Sequence, residues 1–237
     1  MGFGNGPKIV PDGLQLSYDI KNSKSFQGGN TVLYNAAGRS NNLTGTSLNS
    51  YEDPVAGNVI DIDATNSFEN GGITPIIGKY SFSVIYWIRF KGMPGSNYVS
   101  MWRLIDTVNA HGYYFIADTR TAATPYVLQY VKDDTDNLWD TRNMIGNSTW
   151  INSTNWWCLG LSMHAEDEWR SYLNGVHIGT NTTSSIDLSG YGDIDHVRIG
   201  SSGSAGCYMG NFMVYNKTLS AEEHMQNFNA LRGRYGV

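Results

Sequence analysis

The residues of this 237-residue chain whose types and spacing could do chemistry are carboxylates and tryptophans in polar segments. In Ile60-Asp61-Ile62-Asp63, period-two alternation puts Asp61 and Asp63 on one face of an extended segment. Two carboxylates on one face are what glycoside hydrolysis uses, one as acid and one as nucleophile or base. No third carboxylate follows, positions 64–67 being Ala, Thr, Asn and Ser, so a solvated strand end is the plainer reading. The like charges of Glu166-Asp167-Glu168 suit a hairpin tip in water. Asp133, Asp134 and Asp136 gather three hard oxygen donors within four residues, the chemistry of a calcium ligand set. Their segment lacks the glycine and distal glutamate of a dedicated calcium loop, and a solvated acidic loop explains it as simply. Trp139 and Trp150 stand in polar surroundings near Asn152. Their rings could stack on sugars while the amide hydrogen-bonds hydroxyls, or they could pack at a subunit contact, where tryptophan is enriched.

Several chemistries are excluded. There is no Gly-x-Ser-x-Gly elbow, and the five histidines (His111, His164, His177, His196, His224) form no His-x-x-x-His pair. Cys158 and Cys207 are not a Cys-x-x-Cys pair and read as reduced thiols inside strands. A net charge of −5 argues against a nucleic-acid surface. No apolar run reaches the roughly 18 residues of a membrane span. The first ten residues show no basic stretch leading into an apolar one, so the expectation is synthesis in a cytoplasm without a signal peptide. Five Asn-x-Ser/Thr sites, at Asn42, Asn147, Asn152, Asn181 and Asn216, then mean only that the loops are rich in Asn, Ser and Thr.

The elements that must position these residues are strands. With 27 glycines, 13% aromatic and only 16% charged residues, the composition suits many short strands and tight turns. Residues 1–12, rich in glycine and holding Pro7 and Pro11, read as an arm off the core. From Gly13, Leu14, Leu16, Tyr18 and Ile20 alternate with polar residues. Tyr80 to Lys91 is apolar on both faces, as in a central strand covered on each side. Further strands are expected at 59–63, 101–106, 113–118, 126–131, 156–164 and 197–201, with a long loop from Lys132 to Asn155. Asn174-Gly175 between two apolar runs marks a hairpin turn. The chain closes with a strand from Cys207 to Tyr215 and a helix of about 220–232. Ser220 and Glu223 have capping-box spacing, Met225, Phe228 and Leu231 line one face, and Gly233 is the expected stop. Some ten strands without βαβ alternation predict an all-β, two-sheet antiparallel sandwich of jelly-roll type with one C-terminal helix. No second-domain linker is evident, so residues 13–237 form one domain.

Several stretches carry a family likeness. They are Gly13-Leu-Gln-Leu-Ser-Tyr-Asp, Asn35-Ala-Ala-Gly-Arg-Ser-Asn-Asn, Tyr80-Ser-Phe-Ser-Val-Ile-Tyr-Trp, Tyr172-Leu-Asn-Gly-Val-His-Ile-Gly and Met209-Gly-Asn-Phe-Met-Val-Tyr-Asn-Lys-Thr-Leu-Ser-Ala-Glu-Glu. Over roughly residues 13–235 the chain resembles laminin-G-like domains of the concanavalin A-like superfamily. The ending Gln226-Asn-Phe-Asn-Ala-Leu-Arg-Gly-Arg-Tyr-Gly resembles versions found in tailed-phage virion proteins. The resemblance implies the jelly-roll fold, leaves a bound calcium open, and is weak for function, since the superfamily spans lectins, glycosidases and capsid ornaments. Its glucanases carry a Glu-x-Asp-x-(x)-Glu strand that Asp61 and Asp63 match only in part.

The expectation drawn from this is a non-enzymatic phage virion protein that decorates or stabilises a capsid through its arm and loops. Its partners would be major capsid or other virion proteins and copies of itself as a dimer or trimer. The alternative is a lectin-like host-recognition or adhesion module binding surface glycans; a glycoside hydrolase ranks last.

Overall fold

The computed structural model describes residues 7–26, 31–38, 41–45, 50–62, 67–70, 77–78, 81–91, 98–108, 111–118, 126–132, 140–146, 154–164, 168–182, 192–200 and 206–237. Among them the strands are β1 (Leu14–Tyr18), β2 (Val32–Leu33), β3 (Leu43–Gly45), β4 (Ser50–Asp53), β5 (Gly57–Ile62), β6 (Phe68–Asn70), β7 (Phe82–Phe90) and β8 (Tyr98–Asp106). There follow β9 (His111–Asp118), β10 (Tyr126–Lys132), β11 (Asp140–Gly146), β12 (Trp157–Met163), β13 (Glu168–Leu173), β14 (Val176–Thr182), β15 (His196–Ile199) and β16 (Cys207–Tyr215). Among the described residues one helix, α1 (Ala221–Tyr235), follows β16.

The strands form two antiparallel sheets. One runs β14-β13-β12-β7-β16-β5-β4, with β1 also on β16; the other runs β11-β10-β9-β8-β15-β6-β3-β2. This is the two-sheet sandwich with a C-terminal helix that the sequence predicts. β11 lies within the stretch read from sequence as a long loop; its segment Asp-Thr-Arg-Asn-Met-Ile-Gly is too polar to signal a strand. Among the described strands it also lies at the edge of its sheet, where burial asks for less apolar character.

Between the sheets lies the main core, including Tyr18, Phe68, Tyr86, Trp102, Leu159, Leu161 and Phe212. β7 sits mid-sheet and is buried on both faces, as its sequence predicts. Phe82, Val84, Tyr86, Ile88 and Phe90 enter the main core, while Ile85 and Trp87 enter a second cluster on the opposite, outer face. α1 covers that face through Phe228 and Tyr235, with Met225 and Leu231 packed alongside. Full burial of such side chains stabilises the fold by about 1.5–3 kcal/mol each.

Left-handed backbone shapes the β13–β14 turn and the end of the helix, among other places. Asn174 (φ 50°) and Gly175 (φ 78°) make the β13–β14 hairpin turn. The helix does not stop at Gly233 but runs on to Tyr235, and Gly236 (φ 71°) is the cap, donating its N–H to Arg232 O. Tertiary contacts hold the extra turn: Tyr235 is buried against Trp87, and Arg234 pairs with Asp19. At the helix start the capping box is present as expected. Ser220 Oγ accepts from Glu223 N, and the Glu223 carboxylate accepts from Ser220 N.

Residues 7–12 run beside α1. Val10 is buried in the outer cluster, and its N–H donates to Asn227 Oδ1 at 2.8 Å. The Gln226 side-chain amide donates to Lys8 O, and Lys217 Nζ bridges Asp12 and Glu223 at 2.7 Å each. The described end of the segment read as an arm is therefore stitched to the body.

Candidate functional site

Most residues singled out by sequence fall elsewhere. Trp139, Trp150, Asn152, Asp133, Asp134 and Asp136 lie outside the described residues, as do Asp63, Glu166 and Asp167. Among the described residues no group of three or more His, Cys, Asp or Glu could hold a metal. Asp61 is described; it pairs with Lys91 across the sheet surface. Cys158 and Cys207 are both buried, and burial pushes each thiol well above its usual range.

The structure assembles a different constellation on the outer face, at the end of the sheet beyond Tyr235. Register places Tyr208 of β16 opposite Arg89 of β7 on one side and Asp61 of β5 on the other. Directly opposed residues share a face, so the three form a row. Trp156, one residue ahead of β12, extends it: its ring lies 5.8 Å from the Arg89 guanidinium and 4.9 Å from the Tyr235 ring. From β4, Tyr51 stacks on Tyr208 with ring centroids 4.4 Å apart at 24°.

Arg89 organises this row. Its guanidinium lies 4.7 Å from Tyr208 and 5.7 Å from Tyr51, and its Nη1 contacts Asp53 Oδ2 at 2.8 Å. Asp53 has a fully buried side chain whose Oδ1 accepts from Val55 N and Ala56 N, both at 2.8 Å. A planar guanidinium can stack on aromatic faces while its edge engages a carboxylate, which an ammonium cannot do. Lys91 Nζ lies 4.8 Å from Tyr208 and beside Asp61 at the open margin. Tyr51, Tyr208 and Asp61 are half-buried and Lys91 is exposed. Trp156 is 3% exposed, and its Nε1 has no hydrogen-bond partner among the described residues.

Two half-buried tyrosines, a carboxylate acceptor and an ammonium donor thus converge on one strip. Such a strip can hold a ligand having apolar C–H faces and hydroxyl groups. Of its members the sequence singles out Asp61 alone; Arg89, Lys91, Trp156 and Tyr208 read there as strand residues. The available signal was Arg89 on the second face of an otherwise apolar strand.

Ser162 Oγ lies 2.7 Å from His224 Nε2 and 2.8 Å from Ser83 Oγ. This pair, 62 residues apart in sequence, sits beneath α1 with Ser162 fully buried, out of reach of a substrate. His224 stacks on Tyr172 at 3.7 Å, and burial lowers its pKa to about 3, so it is neutral. An open groove of about 580 Å³ between the β13–β14 hairpin and α1 is walled by Pro7, Val176, His177, Met225 and Gln226. It is mainly apolar and brings few polar groups together.

No protein-family model matches this sequence, and no curated protein matches it. Solved structures do. The binding domain of Paraclostridial Mosquitocidal Protein 1 superposes with a TM-score of 0.70 at 13% identity, over 93% of this chain and 52% of that one. The binding domain of botulinum neurotoxin DC, solved in complex with rat synaptotagmin II, gives 0.67 at 14% identity over 94% and 52%. The ligand binding domain of botulinum neurotoxin serotype D, solved with N-acetylneuraminic acid, gives 0.65 at 13% identity over 92% and 51%. The chain therefore spans about half the length of these neighbours, and the likeness is one of fold.

Proposed function

We propose that this chain is a non-enzymatic recognition module that binds carbohydrate on the outer face of its helix-covered sheet. The observation that carries the reading is the Trp156–Arg89–Tyr208–Asp61 row with Tyr51 and Lys91, which sets aromatic rings beside a hydrogen-bond acceptor and donor. The sandwich that bears it has neighbours that are binding domains, one of them seen with a sialic acid. None of those three is a capsid protein, so glycan recognition replaces capsid decoration as the leading reading. A site on a phage particle stays a separate proposal; mass spectrometry of purified particles checks it, and absence of the chain there removes it.

Carbohydrate binding is tested by probing the whole chain against a broad glycan array, followed by calorimetric titration of the best hits. Saturable binding lost in Tyr208→Ala is the expected outcome. No response across the array overturns the reading.

A further inference from the structure

The row's charges are arranged in a way that selects among sugars, and this step rests on the glycan-binding reading above. Each cation in the row is matched by a carboxylate: Arg89 by Asp53 at 2.8 Å, Lys91 by Asp61. Among the described residues the strip has no net positive charge, on a chain whose net charge is −5. Arg89 is only 15% exposed and is held by the Tyr51, Tyr208 and Trp156 rings, so its fork is committed to Asp53. Recognition of an anionic sugar uses such a fork bidentately against the ligand's own carboxylate. Here a ligand carboxylate would meet Asp61 first, as a like charge across a short distance, and would have to take Lys91 from it.

A neutral pyranose meets no such conflict. Each hydroxyl donates and accepts, so two adjacent hydroxyls can donate to a carboxylate and accept from an ammonium side by side. Asp61 and Lys91 present that pair beside Tyr208, a half-buried residue, at the open margin of the strip. We infer that the site takes an uncharged hexose with adjacent hydroxyls, seated against Tyr208 beside the Asp61–Lys91 pair, and discriminates against sialylated ends.

The test compares wild type with Asp61→Asn, Lys91→Met and Tyr208→Phe. Each is titrated with a neutral oligosaccharide and with the same oligosaccharide capped by N-acetylneuraminic acid. Far-ultraviolet circular dichroism confirms folding, and Tyr208→Phe keeps the ring should larger truncations perturb the sheet. Wild type is expected to bind the neutral form at least tenfold more tightly than the capped form. Asp61→Asn should weaken neutral binding about tenfold and shift the preference toward the capped form by leaving Lys91 unopposed; Lys91→Met should weaken neutral binding alone. Tighter binding of the capped form by wild type overturns the inference while leaving carbohydrate recognition intact. Neutral binding unchanged in both Asp61→Asn and Lys91→Met overturns the seat beside these two residues. Binding of neither sugar by wild type, with no array response, removes the recognition reading and this inference together.

Discussion

Trp87, in the middle of the central strand, and Tyr235, in the last turn of the helix, stack with ring centroids 4.1 Å apart at 11°. The pair joins the outer face of the sheet to the end of the chain. It is aided by a bulge: β16 shifts register between Met209 and Phe212, opposite Trp87. At this irregularity Asn211 N donates to Tyr235 Oη at 2.8 Å. Gly210, having no side chain, leaves room for the phenol oxygen.

Tyr235→Ala should therefore destabilise the fold by about 3–5 kcal/mol, the range for removing a buried aromatic. Tyr235→Phe keeps the stack and removes only the acceptor for Asn211 N, costing about 1–3 kcal/mol. Urea unfolding of the two variants measures the difference. Equal losses would mean that the hydroxyl, not the ring, anchors the helix.

The acid limb of stability should depend on His224. Burial lowers its pKa from an ordinary 6.5 to about 3, and His164 nearby is lowered by burial as well. The unfolded chain therefore binds more protons than the folded one between those values. Stability is fully present above pH 6.5 and falls as pH drops through 6.5 toward 3. At pH 4.5 the loss from His224 alone is about 3 kcal/mol, at 1.36 kcal/mol per unit. Denaturation midpoints measured from pH 7 to 4 should fall more steeply for wild type than for His224→Gln. Parallel curves would show that His224 is not held neutral in the folded protein.

Steric fit at the same place gives an independent check. Gly160 of β12 faces His224, and an added Cβ would lie 2.6 Å from its Nδ1 and 3.1 Å from Tyr172 Cβ. His224 is locked by Ser162 and by its stack on Tyr172, so it has little room to yield. Gly160→Ala should cost about 1–3 kcal/mol, as overpacking does. A neutral result in thermal unfolding would mean that the helix start rides up easily from the sheet.

What could be read from the sequence follows from where the stabilising contacts lie. β7, the Asn-Gly hairpin and the capped helix start are specified by neighbouring residues, and all three stand where their patterns put them. The helix end was misread because Gly233 costs only about 1 kcal/mol in a helix, less than the contacts of Arg234 and Tyr235 return. His224 and Asn227 share the helix's buried face with Phe228, yet a polar letter carries no hint of burial until its partners are known. The aromatic row is hidden for a related reason. Tyr51, Asp61, Arg89, Trp156 and Tyr208 come from five segments, and only sheet register brings them together.

Asn227 tests whether the N-terminal segment is a structural strap. Its side chain is fully buried, and Oδ1 accepts from Val10 N at 2.8 Å and from Tyr215 Oη at 3.2 Å. Asn227→Leu is close in volume but leaves both donors without that acceptor, each costing about 1–3 kcal/mol when buried. The expected loss is about 2–4 kcal/mol, with hydrogen exchange at Val10 rising before that in the core strands. Asn227→Asp keeps the acceptor and separates the hydrogen bonds from the packing. If Val10 stays protected in Asn227→Leu, the apolar contacts of Ile9 and Val10 hold the strap without the amide.

Arg89 and Asp53 form an ion pair at 2.8 Å. Asp53 is fully buried and receives three hydrogen-bond or ionic contacts, so removing the cation leaves a carboxylate with two backbone N–H donors and no opposing charge. Arg89→Met should cost about 3–5 kcal/mol, as breaking a buried pair does. Asp53→Asn in the same background should recover part of the loss, because the charge that was left stranded is gone. A double-mutant cycle by urea unfolding measures the coupling. Additive losses would show that Arg89 is held by its three aromatic neighbours alone, and that the row's geometry does not depend on Asp53. Strong coupling would instead make Asp53 the residue that orients Arg89 beneath Tyr51 and Tyr208, and sugar binding should then weaken in Asp53→Asn although that side chain never meets solvent.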